Sequence, residues 1–218
     1  MKEDTIQHVI FDFDGTIADS MKLAVELFNQ AAHKYKFNSI KEEAYEYLSG
    51  LSILEKCKAL NVSLAFIPKV GVEITRSYHR SIGSIPIIDG MKEVILALKQ
   101  SGYKLSIISS NAGDNIRKFL INNDLDVFDN IYSANNLFGK DKTINSFIKK
   151  NNLRKEELVY IGDELRDIVA CNANHIKVIA VTWGGYDSLD MLKKANPDYI
   201  VNKPSEIIEI IEANKIYH

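Results

Sequence analysis

Aspartates occur in two close pairs, Asp12 and Asp14 in Phe11-Asp12-Phe13-Asp14-Gly15-Thr16, and Asp163 and Asp167 in Gly162-Asp163-Glu164-Leu165-Arg166-Asp167. Each pair follows a short apolar run. Asp12 and Asp14 are two apart, so in an extended chain they point to one side, and Gly15 lets the backbone turn away sharply. Asp167 lies one turn into the helix expected after Asp163, so these two carboxylates also face one rim. Like charges held together there are costly unless a cation or a proton compensates them. Four carboxylates at one edge call for a hard divalent cation, and Mg²⁺ is expected because it takes a few carboxylate oxygens plus water and phosphate. Ser109-Ser110-Asn111 adds hydroxyls and an amide beside free amides at a helix start, a natural phosphate contact. Gly139-Lys140-Asp141-Lys142 supplies cations shortly before the Asp163 strand.

The elements that must position these groups are legible in the hydrophobic pattern. Short apolar, β-rich runs recur at His8–Phe13, Lys104–Ser109, Asn130–Ser133, Leu158–Gly162 and Lys177–Val181, most of them separated by amphipathic stretches of helix length. Continuous hydrophobicity marks strands covered on both faces, and strand–helix alternation means an α/β fold with a doubly wound parallel sheet. Ligands in such sheets bind beyond the carboxyl edge of the strands, where both aspartate pairs fall. About ninety residues separate the first two strands, far more than one crossover needs. Helices are expected at Met21–Tyr35 (Leu23, Leu27, Ala31 and Ala32 on one face), Lys41–Leu48, Ser52–Leu60 and Leu64–Ser81. The expected organisation is a core of residues 1–19 and 83–218 with an inserted helical cap over 20–82. Ser84-Ile85-Pro86 is the expected return linker, and Gly90–Gln100 the helix leading back to the sheet.

Composition excludes several classes of function. The 218 residues are 46% hydrophobic and 26% charged, with 27 Lys and Arg against 29 acids and a net charge of −2. A chain of this size buries roughly 70% of its unfolded surface and needs no disulfide or structural metal to fold. The lack of basic excess argues against nucleic-acid binding. Cys57 and Cys171 follow no metal-ligand spacing and fit reduced thiols that pack as small hydrophobes. The first apolar stretch breaks at Asp12, too early for a signal-peptide core, and no run approaches the roughly 20 apolar residues of a membrane span. A cytoplasmic protein without membrane or nucleic-acid partners is expected, as a monomer or weak homo-oligomer.

With these residues in order, the chain resembles the haloacid dehalogenase superfamily, in its phosphoglycolate phosphatase-like branch. The first family motif, a strand and then DxDGT, is matched by Asp12 to Thr16, and Ala18-Asp19-Ser20 continues as is common there. Ser109 matches the second motif, Lys140 resembles the lysine motif, and Asp163 and Asp167 match GDxxxD. The family's lysine is usually followed by proline; here Asp141 follows, and Lys142 is a rival. The resemblance covers the whole chain, with the helical insertion where a type 1 cap belongs.

That resemblance implies a Mg²⁺-dependent phosphatase acting on a small phosphomonoester, phosphoglycolate-like or a sugar phosphate. Asp12 would attack phosphorus to give an aspartyl phosphate, and Asp14 would protonate the leaving oxygen and later accept a proton from water. The metal site would comprise Asp12, Asp163 and, through its backbone carbonyl, Asp14. Ser109 and Lys140 would hold the phosphoryl oxygens, with Thr16, Ser110, Asn111, Ser49 and Gly50 near substrate. Asp167 would orient Lys140 or a metal-bound water. Sugar-phosphate mutases of the superfamily are similar at Ser49-Gly50-Leu51-Ser52 but carry an arginine three residues past that glycine, where this chain has Ile53, which favours the hydrolase. Dehalogenase chemistry needs neither Asp14 nor a metal. A non-catalytic binding protein on this fold should lack Asp12, Asp14 or Asp163. Arg76, His79 and Arg80 share a helix face, as a grip for an anionic leaving group or as a solvated cationic surface. Trp183 is expected to pack the sheet end beside a glycine turn rather than line a substrate wall.

Overall fold

A computed structural model of the protein describes residues 6–134 and 139–216. Strands β1 (His8–Phe11), β2 (Lys104–Ser109), β3 (Asn130–Ser133), β4 (Leu158–Gly162), β5 (Lys177–Val181) and β6 (Tyr199–Val201) form one parallel sheet in the order β3-β2-β1-β4-β5-β6. Alternate strand residues enter two separate cores. Val9, Phe11, Ile107, Ile161 and Ile179 face one side, whereas Ile10, Ile108, Tyr160, Val178 and Ala180 face the other. Helices α5 (Met91–Gln100), α6 (Gly113–Asn122) and α10 (Ser205–Ile216) cover the first face. On the second lie α7 (Lys140–Lys150), α8 (Leu165–Asn174) and α9 (Leu189–Lys194). Both faces are therefore sealed, which is why the strands read as unbroken apolar runs. Each fully buried Ile, Leu or Phe contributes roughly 1.5–3 kcal/mol of transfer free energy.

Between β1 and α5 the chain forms α1 (Met21–Tyr35), α2 (Tyr45–Ser49), α3 (Ile53–Ala59) and α4 (Ile67–Ser81). Helix α1 stops where Lys36 turns left-handed and its amide bonds the Ala32 carbonyl. Ser52 caps α3 in a reciprocal capping box with Glu55. The expected Lys41–Leu48 helix is divided into a 3₁₀ turn at Glu42–Ala44 and α2. Leu64–Ser81 likewise opens as a 3₁₀ turn before α4, whose first turn contains Pro68, a residue lacking only an amide that has no intrahelical partner there. β1 stops at Phe11 rather than Phe13, although the Asp12 amide still bonds Ile161 O at 2.8 Å. β6, three residues long, has too little pattern to be read from sequence. Among the described residues no helix is long and apolar enough to cross a membrane.

Candidate active site

The strand order reverses direction around β1, between β2 and β4, and a ligand crevice is expected beyond their carboxyl ends. Asp12 follows β1, Ser109 ends β2 and Asp163 follows β4, so three strands deliver polar groups to this one place. Asp12, Ser109, Lys140, Asp163 and Asp167 are all buried. Lys140, the first residue of α7, reaches Asp12 Oδ2 at 2.9 Å and forms a second ion pair with Asp167. Lys142 is exposed and has no place in this cluster, so of the two rival lysines Lys140 is the one at the carboxylates. Burial works against its ammonium, but Asp12 and Asp167 outweigh that and hold its pKa above the usual lysine value.

The carboxylate of Asp163 is fitted between backbones. An added Cβ at Gly184 would lie 2.0 Å from Asp163 Oδ2, and one at Gly15 would lie 2.2 Å from it. Thr16 donates to Asp163 Oδ1 at 2.8 Å. Thr16, expected near substrate, thus spends its hydroxyl on a carboxylate. Burial first, then Glu164, Asp12 and Asp167, push the Asp163 carboxyl well above the ordinary range. Burial likewise pushes Asp167 up to about 7, against the pull of Lys140.

Asp12, Asp163 and Asp167 can each present an oxygen within 4.8 Å of the others. Asp12 Oδ1 and Asp163 Oδ2 are buried without a hydrogen-bond donor. Leaving such atoms unpartnered is costly, and an all-oxygen donor set carrying this much negative charge fits a hard divalent cation.

Asp14 departs from the sequence expectation. Beyond Asp12 the chain leaves the extended form: Ile17 and Ala18 amides both bond Phe13 O, and Gly15 adopts φ +74°. The Asp14 carboxylate lies outside the three-carboxylate cluster, yet near enough to Asp12 for the two charges to repel. Asn111 donates to Asp14 Oδ2 at 2.8 Å and the Tyr78 hydroxyl donates to Oδ1. Burial raises the Asp14 carboxyl above the ordinary carboxylate range, opposed by those two hydrogen bonds.

The other expected residues divide into two groups. Ser109 Oγ accepts the Asn111 amide at 3.2 Å, and Ser110 Oγ accepts Arg166 Nη2 at 3.2 Å, so the β2 end is joined to α8. Ser49 and Gly50 contact none of the carboxylates. Ser49 bonds Glu46 O through its hydroxyl and Ser188 N through its carbonyl, whereas Gly50 is exposed. Ser49 also lines an apolar cavity of about 150 Å³ with Met21, Phe28, Leu48, Lys56 and Tyr186. Arg76, His79 and Arg80, on α4, border a groove shared with Ala112 and Asn115.

Arg166 and Tyr78 were not singled out from sequence, and Gly184 and Tyr186 enter it only within the Trp183-Gly184-Gly185-Tyr186 run. Arg166 forms a two-point pair with Glu164 (2.7 and 2.5 Å) at the cluster's rim. Tyr186 lies 3.1 Å from Ser20 Oγ, and Gly184 clears space for Asp163. Tyr78 reaches in from α4. In the Trp183-Gly184-Gly185-Tyr186 run the tight turn belongs to Gly185 (φ +79°). Trp183 packs at the sheet end as expected, its indole donating to Thr16 O at 3.2 Å.

Comparison with known proteins fits this geometry. The profile described as "Haloacid dehalogenase-like hydrolase" matches residues 9–181. The chain belongs to the haloacid dehalogenase-like hydrolase family. It is 25% identical over 207 residues to a phosphoglycolate phosphatase of Synechococcus elongatus, covering 94% of this chain and 97% of that one. It is 26% identical over 213 residues to pyrophosphatase PpaX of Listeria innocua, covering 94% and 96%. A crystal structure named as a predicted phosphatase from Clostridium acetobutylicum superposes with a TM-score of 0.81 at 22% identity, over 96% of this chain and 99% of that one. In this hydrolase the polar cluster stands at the strand ends, where open α/β sheets bind their ligands.

Proposed function

We propose that this hydrolase is a Mg²⁺-dependent phosphatase that cleaves a small phosphomonoester through an aspartyl phosphate on Asp12. The observation that carries the reading is Asp12 itself: one oxygen is held by Lys140, the other is buried and unpartnered, and Asp163 faces it across the switch point. Oδ1 is the nucleophile. It attacks phosphorus as the phosphorus–oxygen bond to the leaving group breaks, dividing one hard displacement into two easier ones. Lys140 and Ser109 hold the non-bridging oxygens, and Asp14 gives its proton to the departing alkoxide. In the second step Asp14 takes a proton from water as that water attacks the phosphoryl group and frees Asp12. The raised affinity of Asp14 for its proton suits this exchange.

Asp12, Asp163 and the backbone carbonyl of Asp14 would hold Mg²⁺, which when bound neutralises phosphoryl charge. Asp167 fixes the Lys140 ammonium. The helical segment of residues 20–82 acts as a cap that excludes bulk water. Its Ile53, in place of a cation that would grip a second sugar phosphate, favours hydrolysis over mutase chemistry. The phosphoglycolate phosphatase and pyrophosphatase relatives support a compact, anionic phosphate compound as substrate.

The test is phosphate release from an aryl phosphate and from a panel of phosphorylated acids, sugar phosphates and pyrophosphate. Turnover is expected with Mg²⁺, and none after chelation or in Asp12→Asn. Turnover that survives chelation, or an active Asp12→Asn enzyme, refutes the proposal.

A further inference from the structure

We propose that Tyr78, on helix α4 of the inserted segment, is a positioning residue that fixes the Asp14 carboxyl in the direction of the leaving-group oxygen. The inference rests on the proton-carrying role assigned to Asp14 above. Asp14 sits beyond the end of β1, bridged to Ala18 just before the turn at Gly15 and outside the six-stranded sheet. Its two oxygens have separate partners. Asn111 of the core binds Oδ2 at 2.8 Å, and Tyr78 of the insertion binds Oδ1.

The same helix makes a second, indirect connection. His79 Nδ1 lies 2.5 Å from Asn115 Oδ1, Asn115 Nδ2 donates to Asn111 Oδ1 at 2.9 Å, and Asn111 donates onward to Asp14. Adjacent residues of α4 therefore reach Asp14 by two routes, one direct and one through the α6 end of the core. Tyr78 is 8% exposed, its ring packed in the larger hydrophobic core, so the hydroxyl has little freedom to point elsewhere. A carboxylate has about four lone-pair directions; with a further side-chain contact from Ser20 one remains open, along which a proton can pass to the receiving oxygen. Correct aim of that proton matters because small misplacement of a reacting group costs large factors in rate. The orientation of Asp14 thereby depends on where α4 lies, which ties proton transfer to the position of the insertion.

The experiment compares kcat/KM for p-nitrophenyl phosphate, whose leaving group needs no proton, with phenyl phosphate, whose leaving group does. Wild type, Tyr78→Phe, Asp14→Asn and the double variant are measured. The ratio of the two substrates does not depend on how much of a variant is folded. Tyr78→Phe is expected to lose about tenfold or more with phenyl phosphate and less than about threefold with p-nitrophenyl phosphate, a fraction of the roughly 10²–10⁴ available from proton transfer. On the Asp14→Asn background it is expected to change the ratio no further. If Asp14→Asn is selective for the poor leaving group and Tyr78→Phe is not, the positioning role is overturned while the function stands. A selective effect of Tyr78→Phe that persists without the Asp14 carboxylate also overturns it. An unselective Asp14→Asn overturns the assignment of Asp14 itself, and the role of Tyr78 with it.

Discussion

Replacing Gly184 by alanine isolates the placement of one carboxylate from every other property of the site. Gly184 is absent from the residues of positive φ, so alanine meets no backbone strain there. What it meets is Asp163. The added Cβ would lie 2.0 Å from Oδ2, 2.4 Å from Cγ and 2.5 Å from the Cβ of Asp163, where ordinary contact begins near 3.4 Å. The carboxylate must therefore retreat by about 1.4 Å or the loop after β5 must lift by a similar distance. Rotation of Asp163 alone gives little relief, because its Cβ is crowded too and its other oxygen is held by Thr16. A shift of this size separates Asp163 from Asp12 as joint ligands. Supporting-residue changes around metal ligands typically cost 10–100-fold in affinity or activity, and Gly184→Ala is expected at the upper end, about 10²-fold in Mg²⁺ affinity and in kcat/KM. Isothermal titration with Mg²⁺ and a metal titration of aryl phosphate hydrolysis read the two quantities, with circular dichroism to verify the fold. Mg²⁺ affinity and turnover within about twofold of the wild type would show that the close fit around Asp163 has no bearing on the metal site.

Two further predictions concern buried charge. Lys140→Met leaves Asp12 and Asp167 buried without their ammonium, and breaking a buried pair in this way costs about 3–5 kcal/mol; the loss in chemical denaturation is expected to be larger at pH 8 than at pH 6, where Asp167 begins to accept a proton, and equal losses at both would refute the pairing. His8 is buried on Phe147 and Ser106, and burial lowers its pKa to about 4. The unfolded chain then binds the extra proton first, so stability is lost as pH falls from about 6.5 toward 4, by at most about 3 kcal/mol and less with solvent screening. The fall in Tm between pH 7 and pH 5 is expected to be smaller in His8→Gln, and an unchanged fall contradicts it.

The parallel sheet was legible because its strands are sealed on both faces, and a short continuous apolar run such as Leu158-Val159-Tyr160-Ile161 suits few positions other than a central strand. α1 was legible to the residue because its apolar spacing and its turn at Lys36 agree. Asp12 and Asp163 stood out because charged residues directly after buried strands must be compensated, and Lys140 because it resembles the family's lysine motif. Residues whose relation to the site depends on long-range docking could not be read. Tyr78 sits 64 positions from Asp14 in a helix whose apolar face accommodates a tyrosine without any ligand. The partners of Asp14 could not be read for a local reason: the regular strand ends at Phe11 and the chain turns at Gly15, so the alternation says nothing of what meets its carboxylate. Ser49 and Gly50 rested on similarity of a turn, and in the fold the Ser49 carbonyl accepts the Ser188 amide.

The charges of the site account for its chemistry under the proposed function. Asp12, Asp163 and Asp167 carry three negative charges when ionised and Lys140 returns one, while Arg166 and Glu164 cancel each other at the rim. The remainder matches a divalent cation. Without such compensation burial drives protons onto Asp163 and Asp167, which the upward displacement of both carboxyls expresses. A phosphate dianion would meet repulsion from the same oxygens. Asp14 feels the Asp12 charge but is bonded to neutral donors, Tyr78 and Asn111, rather than to a cation. This difference would let two neighbouring aspartates serve opposite ends of a displacement, Asp12 paired with Lys140 as the nucleophile and Asp14, its affinity for a proton raised by burial, as the proton carrier.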